Sequence, residues 1–141
     1  TINIINYLLE SKKSVAVPRC IKGSNDMRFF YINSFNDLEE GSFGILEPNR
    51  NTTAVNESYF EELVCLVPAI CYDKQGYRIG FGKGYYDKFL SKNKVLKVGL
   101  CFDDFLINNI YVDGFDICVD KIITDKREVN LKTRGRSLDE R

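Results

Sequence analysis

Between Gly76 and Asp87 the chain reads Gly-Tyr-Arg-Ile-Gly-Phe-Gly-Lys-Gly-Tyr-Tyr-Asp, with glycines alternating at 80, 82 and 84 just before a segment of helical spacing. Glycines so placed let backbone N–H groups converge on an anion without Cβ interference, and a helix N-terminus adds the positive end of its dipole. Arg78 and Lys83 bring cations to the same place, and Asp87, in the first helical turn, offers a hard oxygen ligand suited to magnesium. Together these residue types describe a polyphosphate site. The string is not the dinucleotide pattern G-x-G-x-x-G, because position 85 is tyrosine, and not a P-loop, because Gly84 follows Lys83 where Ser or Thr is needed. Taken bare, G-x-G-x-G also fits a tight turn, so the flanking residues decide.

The remaining composition narrows the chemistry. The 141 residues include no histidine, so no imidazole base is available and zinc is not expected. Acid–base work falls to carboxylates, lysine or tyrosine. Twenty basic and 20 acidic residues cancel, leaving no overall field that favours nucleic acid or an anionic membrane, and neither is expected as a partner. Cys20, Cys65, Cys71, Cys101 and Cys118 are odd in number, lack C-x-x-C spacing and mostly sit in apolar runs. They read as buried free thiols of a reducing compartment, so a cytoplasmic location is expected. No apolar run approaches the roughly 20 residues of a membrane-spanning helix, and no signal segment opens the chain, so a soluble protein, taken as a monomer, is expected.

The elements that must position the glycine loop follow from periodicity and punctuation. Ile2, Ile5, Leu8 and Leu9 share one helical face at the start of the chain. A β-branched strand over 14–17 is expected to stop at Pro18, and a second strand over 28–32 follows a polar turn at 22–26. A short helix is expected over 35–40, closed by Gly41, then an extended run to Glu47-Pro48 and a long polar loop over 49–58. The apolar run 63–67, ending at Pro68, is the expected central strand. Strand segments at 69–72 and 77–79 around a turn at 73–76, the glycine loop, a helix over 85–90 and a strand over 94–101 complete the series. This order predicts a three-layer α/β/α, Rossmann-like domain over 1–125, with a mostly parallel central sheet. Its ligands would bind beyond the carboxyl ends of the strands, at an edge that Pro18 and Pro68 would share. Residues 126–141, basic and poor in apolar side chains, are expected to trail as a mobile tail.

The string Val67-Pro68-Ala-Ile-Cys-Tyr72-Asp73, continued by Gly76-Tyr-Arg78-Ile-Gly80-Phe-Gly82-Lys83-Gly84-Tyr85-Tyr86-Asp87 and Leu90, closely resembles the signature of the 5-formyltetrahydrofolate cyclo-ligase family. The likeness extends to Lys13, Val15-Ala16-Val17-Pro18, Met27, Gly44-Ile45, Glu47-Pro48, Val98-Gly99-Leu100, Asp116, Asp120 and Ile122-Ile123-Thr124. The resemblance implies an enzyme, also called methenyltetrahydrofolate synthetase, that uses ATP and magnesium to close 5-formyltetrahydrofolate into 5,10-methenyltetrahydrofolate, releasing ADP and phosphate. In the family route the formyl oxygen attacks the γ-phosphate to give an iminium phosphate, whose carbon N10 then attacks. Such phosphoryl transfer asks the protein for positioning and charge neutralisation and needs no histidine.

The resemblance also implies site residues. ATP would lie on Arg78, Ile79, Gly80, Phe81, Gly82, Lys83, Gly84, Tyr85 and Tyr86, with Lys83, Arg78 and Tyr86 the candidate catalytic residues. The folate would touch Phe81, Gly82, Lys83, Gly84 and Tyr85, together with Met27 and Glu47, and Asp87 and Asp116 would be the magnesium carboxylates. Residue 115, often histidine in relatives, is phenylalanine here, and the family's basic N-terminal helix would precede Thr1, so its ATP contacts are expected to be missing. A non-catalytic nucleotide- or folate-binding remnant is therefore the second reading. A sugar-phosphate or acyl-CoA enzyme on a similar layered fold is a third, since anion loops recur across folds.

Overall fold

The computed structural model describes residues 1–131, and the part of the expected tail over 132–141 lies outside the described residues. The chain forms two compact units, Thr1–Tyr59 and Phe60–Arg141.

The first unit opens with α1 (Ile2–Glu10), where the spaced residues Ile5, Leu8 and Leu9 are half-buried as their periodicity predicts. Strands β1 (Val15–Cys20) and β2 (Met27–Ile32) form an antiparallel ribbon. Pro18 lies inside β1, opposite Phe29, rather than ending it at the edge of a parallel sheet. The reason is the two-residue period of a strand. The N–H of Ile21 points to Asp26 across the ribbon while that of Cys20 points away to Glu47, so position 18 shares the outer edge, where the β1–β2 ladder needs no donor. The expected helix over 35–40 is also corrected. Only Phe35–Asp37 turns, as a 3-10 segment capped by Ser34, because Leu38–Glu40 (β3) finds an antiparallel partner in Leu46–Pro48 (β4). Part of the polar loop over 49–58 runs along the ribbon, with Tyr31 N–H donating to Thr53 and Val55 N–H to Phe29.

The second unit holds β5 (Val64–Val67), β6 (Cys71–Asp73), β7 (Arg78–Ile79), α2 (Tyr85–Lys92), β8 (Leu96–Leu100), β9 (Leu106–Ile107), β10 (Lys121–Ile123) and β11 (Glu128–Asn130). A four-stranded sheet runs β11-β10-β8-β5, its three strands β5, β8 and β10 parallel and β11 antiparallel at the edge. The class is mixed α/β, and the 64–67 run joins the parallel sheet, but at its edge rather than as the expected central strand. Among the described residues β5 pairs with β8 alone, so the apolar run reports burial of alternate side chains, not a place in the middle of the sheet. Val67, Val98 and Ile122 are buried in it, and Phe89 of α2 meets Phe60 edge-on at 5.4 Å. Strand β11 falls within the stretch expected to trail. Val129 is half-buried between exposed neighbours, and Thr124 Oγ1 accepts the N–H groups of Lys126 and Arg127 to turn the chain back.

A second sheet, β7-β6-β9, joins the end of β5 through Tyr72. This ring is fully buried, and its hydroxyl donates to the Val67 carbonyl at 2.5 Å. Burial pushes its phenol pKa well up, so it remains a protonated donor. A Cβ at Gly99 would lie 2.5 Å from the Tyr72 ring, so β8 needs a residue without one where the ring crosses it.

Candidate functional site

The glycine loop leaves β7 and enters α2 with Gly80, Phe81, Gly82, Lys83 and Gly84 all exposed. Gly82 (φ 82°) and Gly84 (φ 69°) occupy the left-handed region that L side chains resist, and Gly84 begins α2 without a side-chain capping bond. Gly80 has an ordinary φ, and a Cβ built on it meets nothing within 4 Å. The chain's own geometry thus explains glycine at 82 and 84, but not at 80. Phe81 is 78% exposed, and Tyr85 and Tyr86, in the first turn of α2, are half-buried.

Behind the loop sits an ion pair. Arg78 Nη2 lies 3.0 Å from Asp87 Oδ1, with the arginine side chain only 7% exposed. Its other nitrogen, Nη1, donates to the Ile117 carbonyl at 3.0 Å, while Ile117 N–H donates to the same Asp87 oxygen at 3.1 Å. The pair therefore grips both polar groups of Ile117, the residue after Asp116. In this way folding brings Asp87 and the segment carrying Asp116 together although they are far apart in the chain. Asp116 is itself held by a turn, its Oδ2 accepting Asp113 N–H at 2.7 Å. Arg78 is engaged beneath the loop, and Lys83 is exposed on it.

Magnesium asks for oxygen ligands and is commonly bound through one or two carboxylates plus substrate phosphates and water. Among the described residues no group of three or more His, Cys, Asp or Glu side chains forms a metal cluster. Asp87 in the turn after the glycine loop, bonded to the segment that carries Asp116, fits a metal shared with phosphate oxygens better than a cage made by protein alone. The named bonds use Oδ1 of Asp87 and Oδ2 of Asp116, and in each carboxylate the other oxygen lies outside them.

In the first unit, Met27 and Glu47 come together around Cys20. Met27 pairs with Cys20 across the β1–β2 ribbon, and Cys20 N–H donates to Glu47 Oε1 at 3.1 Å. Both residues are buried, and a Cβ at Gly41 would collide with the Glu47 carboxylate. Sequence reasoning gave no role to Asp73, whose fully buried carboxylate organises the segments beneath the loop. Its place at the start of the turn Asp-Lys-Gln-Gly is the available signal, because aspartate there bonds backbone N–H groups two residues on.

In comparison with known proteins, residues 1–125 match the model of the 5-formyltetrahydrofolate cyclo-ligase family. The chain is 27% identical over 140 residues to a probable 5-formyltetrahydrofolate cyclo-ligase of Schizosaccharomyces pombe, covering 89% of this chain and 68% of that one. It is 30% identical over 147 residues to its Caenorhabditis elegans counterpart, covering 94% and 70%. The solution structure of 5,10-methenyltetrahydrofolate synthetase from Aquifex aeolicus matches with a TM-score of 0.77 at 34% identity, over 99% of this chain and 68% of that one. A Mycoplasma pneumoniae synthetase shares the fold, with a TM-score of 0.63 at 22% identity over 89% of this chain and 64% of that one. The chain thus spans about two thirds of the length of these relatives. Among the described residues no helix is long and apolar enough to cross a membrane.

Proposed function

The chain belongs to the 5-formyltetrahydrofolate cyclo-ligase family, and from that premise we propose that it closes 5-formyltetrahydrofolate to 5,10-methenyltetrahydrofolate, with ATP cleaved to ADP and phosphate. The observation that carries this reading is the exposed glycine loop backed by the Arg78–Asp87 pair, which holds the segment of Asp116. The amides of Gly80, Gly82 and Gly84, with Ile79, Phe81, Tyr85 and Tyr86 beside them, cradle the nucleotide's phosphates. Lys83 supplies the mobile charge.

In the proposed sequence the formyl oxygen attacks the γ-phosphorus and the bond to ADP breaks. N10 then adds to the formyl carbon and gives up its proton, which leaves with the phosphate that the carbon expels. Both steps shift negative charge among phosphate oxygens, where N–H groups, Lys83 and a hydroxyl from Tyr86 stabilise it. Arg78 acts from below by fixing Asp87. Asp87 and Asp116 would hold magnesium, which adds charge neutralisation on the phosphates when bound. In the second unit the folate is assigned Phe81, Gly82, Lys83, Gly84 and Tyr85; the family resemblance alone is what proposes folate roles for Met27 and Glu47 in the first. We place the protein in the cytoplasm as a monomer, with the two substrates as its partners.

Phosphate release provides the test. It should require 5-formyltetrahydrofolate, and Lys83→Ala should lower it at least about 100-fold, the order expected when a donor to transition-state charge is lost. Phosphate release that ignores the folate, or an unaffected Lys83→Ala, would overturn the assignment.

A further inference from the structure

Asp73 is 0% exposed, yet the proposed reaction makes no use of its carboxylate. Its two oxygens serve different segments. Oδ1 accepts the N–H groups of Gln75 at 2.9 Å and Tyr77 at 3.0 Å, closing the β6–β7 hairpin that leads into Arg78. Oδ2 reaches across 37 positions in the chain and accepts Ile110 N–H at 3.1 Å. Ile110 lies just beyond β9, where the parallel pairing of β6 with β9 has ended at Asp73 and Ile107. The carboxylate therefore extends that pairing into the loop at 108–118. A buried carboxylate is tolerated because three N–H donors replace its water.

The same loop is gripped at its far end, where Asp87 accepts Ile117 N–H and Arg78 donates to the Ile117 carbonyl. Asp116 thus sits on a segment pinned at Ile110 by Asp73 and at Ile117 by the Arg78–Asp87 pair. We propose that Asp73 is a positioning residue for Asp116, its Oδ2–Ile110 bond holding the loop in the geometry that presents this carboxylate beside Asp87. This rests on the reading of Asp116 as a magnesium carboxylate.

Asp73→Asn separates the two duties of the side chain. The amide oxygen still accepts from Gln75 and Tyr77, while its NH2 faces the Ile110 N–H, donor against donor. Hydrogen exchange should quicken at least about tenfold at Ile110 and Ile117 and stay unchanged at Gln75 and Tyr77. By calorimetry, the gain in ATP affinity on adding magnesium should shrink at least about fivefold, with metal-free ATP affinity kept within about twofold. Exchange quickened evenly through β8 and β10, or an unchanged magnesium gain, would overturn the proposal. In the unsubstituted protein the Ile110 amide should exchange as slowly as those of the β6–β7 hairpin, and a rapidly exchanging Ile110 would overturn it without any variant. None of these readouts requires turnover, so a protein that binds ATP but makes no methenyltetrahydrofolate defeats the proposed reaction and leaves this inference standing on its own result.

Discussion

Alanine placed in turn at Gly80, Gly82 and Gly84 separates what the chain needs from what a ligand needs. At Gly82 and Gly84 the positive φ places an L residue in the left-handed region, at a cost of about 1–2 kcal/mol each. At Gly80 neither term applies. The φ is ordinary and an added Cβ meets open space, so stability should hold or rise by up to about 1 kcal/mol as the unfolded chain loses freedom. A phosphate drawn onto the loop's amides would meet that same methyl. Gly80→Ala is therefore expected to fold normally, with urea unfolding as stable as the parent, and to bind ATP at least about tenfold more weakly, a loss of about 1.4 kcal/mol. Gly82→Ala and Gly84→Ala should lose both stability and affinity. Urea melts paired with ATP titrations read the two effects separately. The reasoning is refuted if Gly80→Ala destabilises the fold like its neighbours, or if it binds ATP as the parent does.

Three further outcomes are expected. Asp87→Ala strips a guanidinium that is 7% exposed of its partner and should cost about 2–3 kcal/mol in urea unfolding, toward the low end for buried pairs because Asp87 itself is 26% exposed; Asp87→Asn, which keeps an acceptor for Ile117 N–H, should cost less. Gly99→Ala drives a methyl against the buried Tyr72 ring and should destabilise by about 1–3 kcal/mol, measured as a lowered Tm. Burial pushes the Cys65 thiol from its usual 9.0 up to about 11, against the partly opposing charges of Arg78 and Lys97. The folded state holds the Cys65 proton more tightly than the unfolded chain, so this stability is complete below pH 9.0 and is lost as pH rises toward about 11. Melting of Cys65→Val across that window should fall less steeply than that of the parent, while parallel curves would contradict the assignment.

Several of these elements were legible from local pattern. The run at 63–67 reads as a strand bounded by Pro68 and forms β5, and the apolar spacing after Gly84 forms α2, because both signals lie within a few residues. That β5 stands at the sheet's edge with Val64 exposed is set by distant pairing and is not in the run itself. Residues 35–40 misled for a physical reason. A capped turn at Ser34 looks like a helix start, but the three residues after it gain more by pairing with Leu46–Pro48, a partner no local pattern reveals. Pro18 reads as a strand end until the outer edge of β1 supplies a position that needs no donor. The site divides in the same way. Glycine spacing and the nearby cations mark the glycine loop, whereas the grip of Arg78 and Asp87 on Ile117 and the reach of Asp73 to Ile110 depend on contacts across tens of residues.

The central claim, ATP-dependent ring closure at the glycine loop, is tested most directly by following the absorbance of methenyltetrahydrofolate as it forms from 5-formyltetrahydrofolate, with and without ATP and magnesium. Product that appears only when ATP and magnesium are both present is the predicted result. Product formed equally well without ATP, or none with both present in a protein that melts cooperatively, would contradict it.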